Sequence, residues 1–98
     1  MVRFYWTYIL KCSDGSFYVG MTNKLDQRVL QHNSGTNPDC YTFNKRPVEL
    51  VYHEMFQNPN DAIAFEKKLK GWSRAKKIAL IDGEFEKLPL LSKKNFKK

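Results

Sequence analysis

The sequence predicts an α+β domain, a small three-stranded antiparallel sheet flanked by helices in the order ββαβαα. Three observations predict it. A nearly continuous apolar and β-branched run, Phe4 to Lys11, turns back on itself at Asp14-Gly15. A second strand-like alternation follows Pro47, and three further segments carry apolar residues three or four apart between cap and stop residues.

In the first strand Phe4, Trp6, Tyr8 and Leu10 alternate with Tyr5, Thr7, Ile9 and Lys11. Apolar side chains on nearly both faces imply a central, well-covered position. Ser13-Asp14-Gly15-Ser16 suits a tight reversal, so Phe17 to Met21 reads as the returning strand of a hairpin. Asn23 is the expected cap of a helix from Leu25 to the Asn33-Ser34-Gly35 stop, with Leu25 and Val29 facing the sheet. A polar loop, 35–46, leads to a third strand, Val48 to Glu54, in which Val48, Leu50 and Tyr52 share one face. Asn60 is the expected cap of a helix from Asp61 to Lys70 that buries Ala62, Phe65 and Leu69 and stops at Gly71. Ser73 caps a last helix, Arg74 to Ile81, with Ala75, Ile78, Ala79 and Ile81 available for the core and Gly83 as its stop.

The chain is long enough for one hydrophobic core, and no apolar run approaches the roughly 18 residues of a membrane helix. The start lacks the long apolar region of a signal peptide, so the expected location is the cytoplasm, with no membrane partner. Cys12 and Cys40 have no CxxC spacing and read as reduced and incidental rather than as a zinc site or disulfide framework.

Charge is unevenly distributed. Residues 1–64 carry six Lys or Arg against six Asp or Glu, whereas residues 65–98 carry eleven against four, so the last third holds the entire formal charge of +7. Such asymmetry marks a surface suited to a polyanion, although exposed lysines also serve solubility. Lys67, Lys68, Lys70, Arg74, Lys76 and Lys77 form its densest part, with no acid among residues 67–77. These six residues are the expected contacts to a nucleic-acid backbone. Trp72 within this stretch is read as an anchor between two helices in preference to a base-stacking platform.

Arg28 and His32 stand four residues apart on the first helix and flank its buried stripe. Taken singly, each polar candidate has an ordinary reading: Arg28 and His32 as boundary residues, Tyr8 and Tyr18 as sheet aromatics, Glu66 as a surface partner of Lys70. Their order is more informative. Trp6-Thr7-Tyr8, then nine residues, Tyr18-Val19-Gly20, and Arg28 eight places beyond that glycine together resemble the signature of GIY-YIG endonucleases. The resemblance runs from about Phe4 to Ile81 and is nearest to small stand-alone bacterial proteins sharing His32-Asn33-Ser34-Gly35 and Arg46 to Tyr52. It also extends to the N-terminal domain of the excision-repair incision subunit.

The lysine-rich end reads as a flexible basic tail at 85–98. The resemblance implies a GIY-YIG nuclease-like domain at 1–84 and metal-dependent hydrolysis of DNA phosphodiesters, structure-selective cleavage included, in repair or processing. It implies catalytic roles for Tyr8, Tyr18, Arg28, His32 and Glu66, with Glu66 also the single protein ligand of Mg²⁺ or Mn²⁺. One carboxylate suits ions that keep waters and borrow phosphate oxygens. Arg28 supplies a forked cation for phosphate, and the phenols, with pKa values of roughly 10, need neighbouring cations before they can act as bases. Two features depart from the family. Trp6 stands where the first motif names glycine, and Asn95 is not assigned to the asparagine that many members carry near the domain's end. The rival expectations are a nucleic-acid-binding module with little turnover and an adaptor for a repair protein; a monomer is expected in each case.

Overall fold

The computed structural model describes residues 3–35 and 42–84. Cys40, Tyr41, Asn95 and the expected tail at 85–98 lie outside the described residues. Strand β1 (Tyr5–Lys11) pairs antiparallel with β2 (Phe17–Thr22) on one side and with β3 (Glu49–Phe56) on the other. The sheet order is therefore β2-β1-β3, and the strand whose sequence is apolar on both faces is the central one. At the hairpin Gly15 takes φ 86°, a left-handed conformation costly for residues with a Cβ. The Asp14 carboxylate accepts from Ser16 N at 3.0 Å and Ser16 Oγ at 2.6 Å and pairs with Lys45 Nζ at 2.6 Å. The Lys45 bond, then those from Ser16, hold its pKa well below the usual carboxylate range.

Alternation along β1 builds two cores. Tyr8, Leu10, Cys12 and Val48 cluster on one face under Leu25 and Val29 of helix α1 (Leu25–Ser34). Ile9 and Val19 cluster on the other with Leu69 of helix α2 (Pro59–Lys70) and Leu80 of helix α3 (Arg74–Ile81). Each fully buried aliphatic side chain contributes about 1.5–3 kcal/mol relative to exposure. Two polar bridges fix the helices. Thr7 Oγ1 donates to the Ala62 carbonyl at 2.7 Å, and the Asn33 amide accepts from Val48 N at 2.7 Å and donates to Val48 O at 3.0 Å.

Several local expectations need correction. The α1 N-cap position is Lys24, not Asn23, and Thr22 Oγ1 accepts from Lys24 N at 3.0 Å to organise the entry. Helix α2 starts earlier, with Asn58 as cap and Pro59 in its first turn; Pro59 needs no donor there, and Asn58 Oδ1 accepts from Asn60 N at 2.8 Å. A register shift between Ile9 and Leu10 makes Val51 an extra residue in β3, so Tyr52 moves to the α2 face beside Val51 and away from Leu50. In α3 the buried pair is Ala79 and Leu80, whereas Ile78 is exposed and Ala75 lies at the surface. Ser73 caps α3 as expected, and Gly35 closes α1 in the left-handed region at φ 71°. Among the described residues no helix is long and apolar enough to cross a membrane.

Candidate active site

Tyr8 on β1 stands directly opposite Gly20 on β2, and the two motif segments are consequently neighbours in the sheet. A Cβ on Gly20 would lie 2.5 Å from the Tyr8 hydroxyl oxygen, 2.6 Å from Cζ and 3.1 Å from a Tyr18 ring carbon. The phenol of Tyr8 thus crosses bare backbone, which explains glycine at this position without appeal to a turn. Beyond it the hydroxyl meets His32 Nε2 at 3.2 Å. Tyr18 packs beside both rings, its centroid 5.1 Å from that of His32 and 6.3 Å from that of Tyr8.

His32 is only 7% exposed, although it lies on a surface helix. Its Nδ1 meets Thr42 Oγ1 at 2.7 Å, so both ring nitrogens have hydroxyl partners. Burial, and then the neighbouring Arg28 charge, push its pKa below the ordinary 6.5. The imidazole is accordingly neutral near pH 7. In the tautomer protonated at Nδ1, Nδ1 donates to Thr42 Oγ1 and Nε2 accepts from the Tyr8 hydroxyl, and the chain Tyr8–His32–Thr42 can then pass a proton along.

Arg28 sits one turn before His32 and is exposed. With Thr22, Asn23, Lys24, Gln27 and Gln31 it lines a polar groove of about 250 Å³ beside the end of β2. The other flank of α1 is used structurally, since Asn33 clamps the start of β3. Arg28 and the phenols therefore share the β2 side of one sheet face.

Glu66 comes from the opposite face. Helix α2 packs on the Thr7 and Ile9 side of the sheet, and successive residues turn by about 100°. Phe65 projects toward β3, where its ring meets Phe56 at 5.6 Å between centroids, so Glu66 leaves the other flank of the buried Ala62–Leu69 stripe, toward β2. Its side chain is 21% exposed, and the carboxylate pairs with Lys70 Nζ at 3.1 Å. The structure joins Tyr8, Tyr18 and His32 directly and sets Arg28 one turn away, while Glu66 approaches the same strand from across the sheet.

The basic segment divides by role. Lys67, Lys68 and Lys70 are exposed along α2. Arg74 donates to the Gly15 carbonyl at 2.8 Å and lies 4.8 Å from the Phe17 ring centroid, tying α3 to the hairpin. Lys76 covers Trp72, its Nζ 4.2 Å from the ring centroid, and Lys77 is half-buried. Trp72 packs against the α2 core, as a helix anchor does.

Compared with known proteins, residues 4–79 match the model of the GIY-YIG catalytic domain. This chain belongs to the GIY-YIG family. Similar relatives include a UPF0213 protein of Bacillus pumilus, 46% identical over 80% of this chain and 79% of that protein, and one of Staphylococcus saprophyticus, 43% identical over 79% and 93%. Among solved structures, the solution structure of a UPF0213 protein from Bacillus halodurans matches at TM-score 0.53 and 37% identity, covering 81% of this chain and 83% of that one. A protein from E. faecalis matches at TM-score 0.58 and 32% identity over 87% and 92%. The α+β architecture is thus the GIY-YIG fold, and the family is one of nucleases.

Within this GIY-YIG framework two supporting residues escape sequence reading. Thr42 is fully buried against His32 yet stands in a polar loop beside the 3-10 turn Phe43–Lys45, with no periodicity to mark it. Asn33 resembles an ordinary helix-stop residue and gives no sign that its amide completes the backbone bonding of Val48. A buried histidine needs partners for both nitrogens, and that rule is the only sequence-level hint to Thr42; none points to Asn33.

Proposed function

We propose that this chain is a divalent-metal-dependent endonuclease that hydrolyses phosphodiesters of nucleic acid, DNA in preference to RNA, in cytoplasmic repair or processing. The hydrogen-bonded Tyr8–His32–Thr42 row, with Tyr18 and Arg28 beside it, carries this reading. Arg28 binds two phosphate oxygens through its fork. Tyr18, less buried than Tyr8, faces the attacking water, and the neutral His32 accepts the proton of Tyr8, the phenol bonded to it. Tyr8, 1% exposed, is a relay and a spacer rather than a direct contact to bulk water.

Glu66 offers one hard oxygen ligand, and among the described residues no group of three or more His, Cys, Asp or Glu could hold a metal ion. That donor set fits Mg²⁺ or Mn²⁺ bound mainly through water and phosphate, with Glu66 exchanging Lys70 for the ion. When bound, the ion supplies charge neutralisation at the phosphate. Exposed Lys67 and Lys68 and the groups at Lys70, Arg74, Lys76 and Lys77 extend the positive surface along α2 and α3, giving salt-sensitive backbone contact with little base reading.

Cleavage of single-stranded, branched and nicked DNA with Mg²⁺ or Mn²⁺ tests the proposal. Loss of at least about 100-fold in rate in Arg28→Ala and in Glu66→Ala, with the fold intact, supports it. One observation favours a second reading. The carboxylate and the phenol-imidazole row lie on opposite sheet faces, which suits a binding module or repair adaptor of little turnover. Salt-sensitive DNA binding without cleavage selects the module, and a protein partner retained after nuclease treatment selects the adaptor.

A further inference from the structure

The geometry points to Trp6 as a stacking platform for one unpaired base next to the phosphate held by Arg28, making the substrate single-stranded or splayed nucleic acid. This assignment rests on the proposed function and deepens it. Trp6 is half-buried but belongs to neither core cluster, unlike Trp72, which packs on the α2 core beneath Lys76. Its ring leans on Phe4 at 6.3 Å between centroids, and its strand neighbours are Thr22 and the half-exposed Met55. A large aromatic side chain left outside both core clusters, near the start of the central strand, offers a sequence-tolerant π-face.

The surroundings fix the occupant. Trp6 lines a hollow of about 300 Å³ with Asn23, Lys24, Leu25, Asp26 and Gln27. That size is at the lower end of small-ligand sites and suits a single nucleotide more than a duplex. Asn23, Lys24 and Gln27 also line the Arg28 groove, so the two hollows adjoin across the start of α1. Charge separates their roles. Lys24 and Arg28 draw phosphate to one end, whereas Asp26 repels it from the Trp6 end and can accept from an exocyclic amino group. A base inside a duplex is stacked on both faces and cannot reach an indole in a recess, so recognition requires an unpaired base.

The test is metal-free binding, with Trp72→Phe leaving Trp6 as the single tryptophan of the full chain. Labelled single-stranded oligodeoxycytidylate, whose bases carry an exocyclic amino group, and a duplex of equal length are titrated by anisotropy while Trp6 emission is followed. The expected result is quenching by the single strand. Trp6→Ala then weakens single-strand binding about tenfold, Trp6→Phe restores most of it, and duplex binding changes little. Single-strand binding that leaves Trp6 emission unchanged overturns the inference and leaves the nuclease reading standing. Equal losses for both DNAs in Trp6→Ala do the same. Binding of neither DNA to the parent chain overturns both. Should Trp6→Ala lose its fold by circular dichroism, quenching in the Trp72→Phe chain and retention in Trp6→Phe decide.

Discussion

The two faces of the sheet are built by the same alternation but filled with different chemistry. Under α2 and α3 the core is Ile9, Val19, Leu69 and Leu80, and its one tyrosine, Tyr52, is pushed up to about 12 by burial and then by its bond to Glu54. Under α1 the core includes Tyr8, and the neighbouring buried groups include His32 and Thr42, each polar atom with a partner. The first face gains stability from apolar area; the second retains titratable groups close to solvent. A phenol with a raised pKa stays protonated near neutral pH and offers no phenolate, so Tyr52 belongs to the scaffold, whereas the phenol beside a neutral imidazole can exchange its proton. The comparison predicts that substitutions in the apolar core under α2 act on stability alone and that substitution of the exposed Arg28 beside the α1 face acts on chemistry.

The largest stability loss is expected at Leu69, which is fully buried on the α2 face. Leu69→Ala removes its methyl groups and leaves a void, at a cost of about 2–5 kcal/mol measured by denaturant unfolding. Arg28→Ala should change stability by less than about 0.5 kcal/mol, since Arg28 is exposed, while abolishing cleavage. Equal effects of both variants on folding and turnover would erase the distinction between the faces.

Gly20→Ala sharpens the comparison from within the α1 face. The new methyl group would press on the Tyr8 hydroxyl and ring, which cannot withdraw because Tyr8 is itself in the core. Destabilisation of about 1–3 kcal/mol is expected, with loss of the Tyr8–His32 hydrogen bond seen as a shifted His32 resonance. An unchanged resonance with intact stability would show that the phenol does not cross Gly20.

How far the sequence reveals this arrangement depends on the range of the forces involved. The hairpin, the central strand, the Ser73 cap and the Gly35 stop follow from local dihedral preference and periodicity, and each appears where expected. The side of Tyr52 does not, because the extra residue at Val51 exists only through pairing with β1, and a slip of one residue reverses a strand face. Asn58 and Asn60 are equally good caps by type, and only Pro59 between them shows where the helix begins. The motif order located the joined phenols and imidazole, but the sheet between Glu66 and Arg28 is a tertiary fact that spacing along the chain cannot express.

Thr42→Val sets a smaller and more specific test. It keeps the shape of the side chain while removing the hydroxyl from His32 Nδ1, leaving that buried nitrogen without this partner at a cost of about 1–3 kcal/mol. The imidazole also loses the contact that fixes its tautomer, so the pH dependence of cleavage should change more than the affinity for DNA. A variant that loses stability and affinity but keeps the parental pH profile would make Thr42 part of the scaffold alone.

The smallest effect concerns acid stability. In the folded chain the His32 pKa lies below 6.5, through burial and then through Arg28, so the unfolded chain binds its proton more readily. Stability from this group is therefore fully present above about pH 6.5, the unfolded value, and is lost as pH falls through 6.5 toward the folded pKa. His32→Gln should flatten that part of the stability curve without flattening the loss at lower pH, where the Asp14 carboxylate, held well below its ordinary range, titrates. Removing the Arg28 charge should move the His32 transition upward, because a cation that disfavours protonation is gone, while burial keeps it below 6.5. If Arg28→Ala left the His32 titration in place, the two residues would not share an electrostatic environment, and the α1 face would lose the coupling between the cation proposed to bind phosphate and the proposed proton relay.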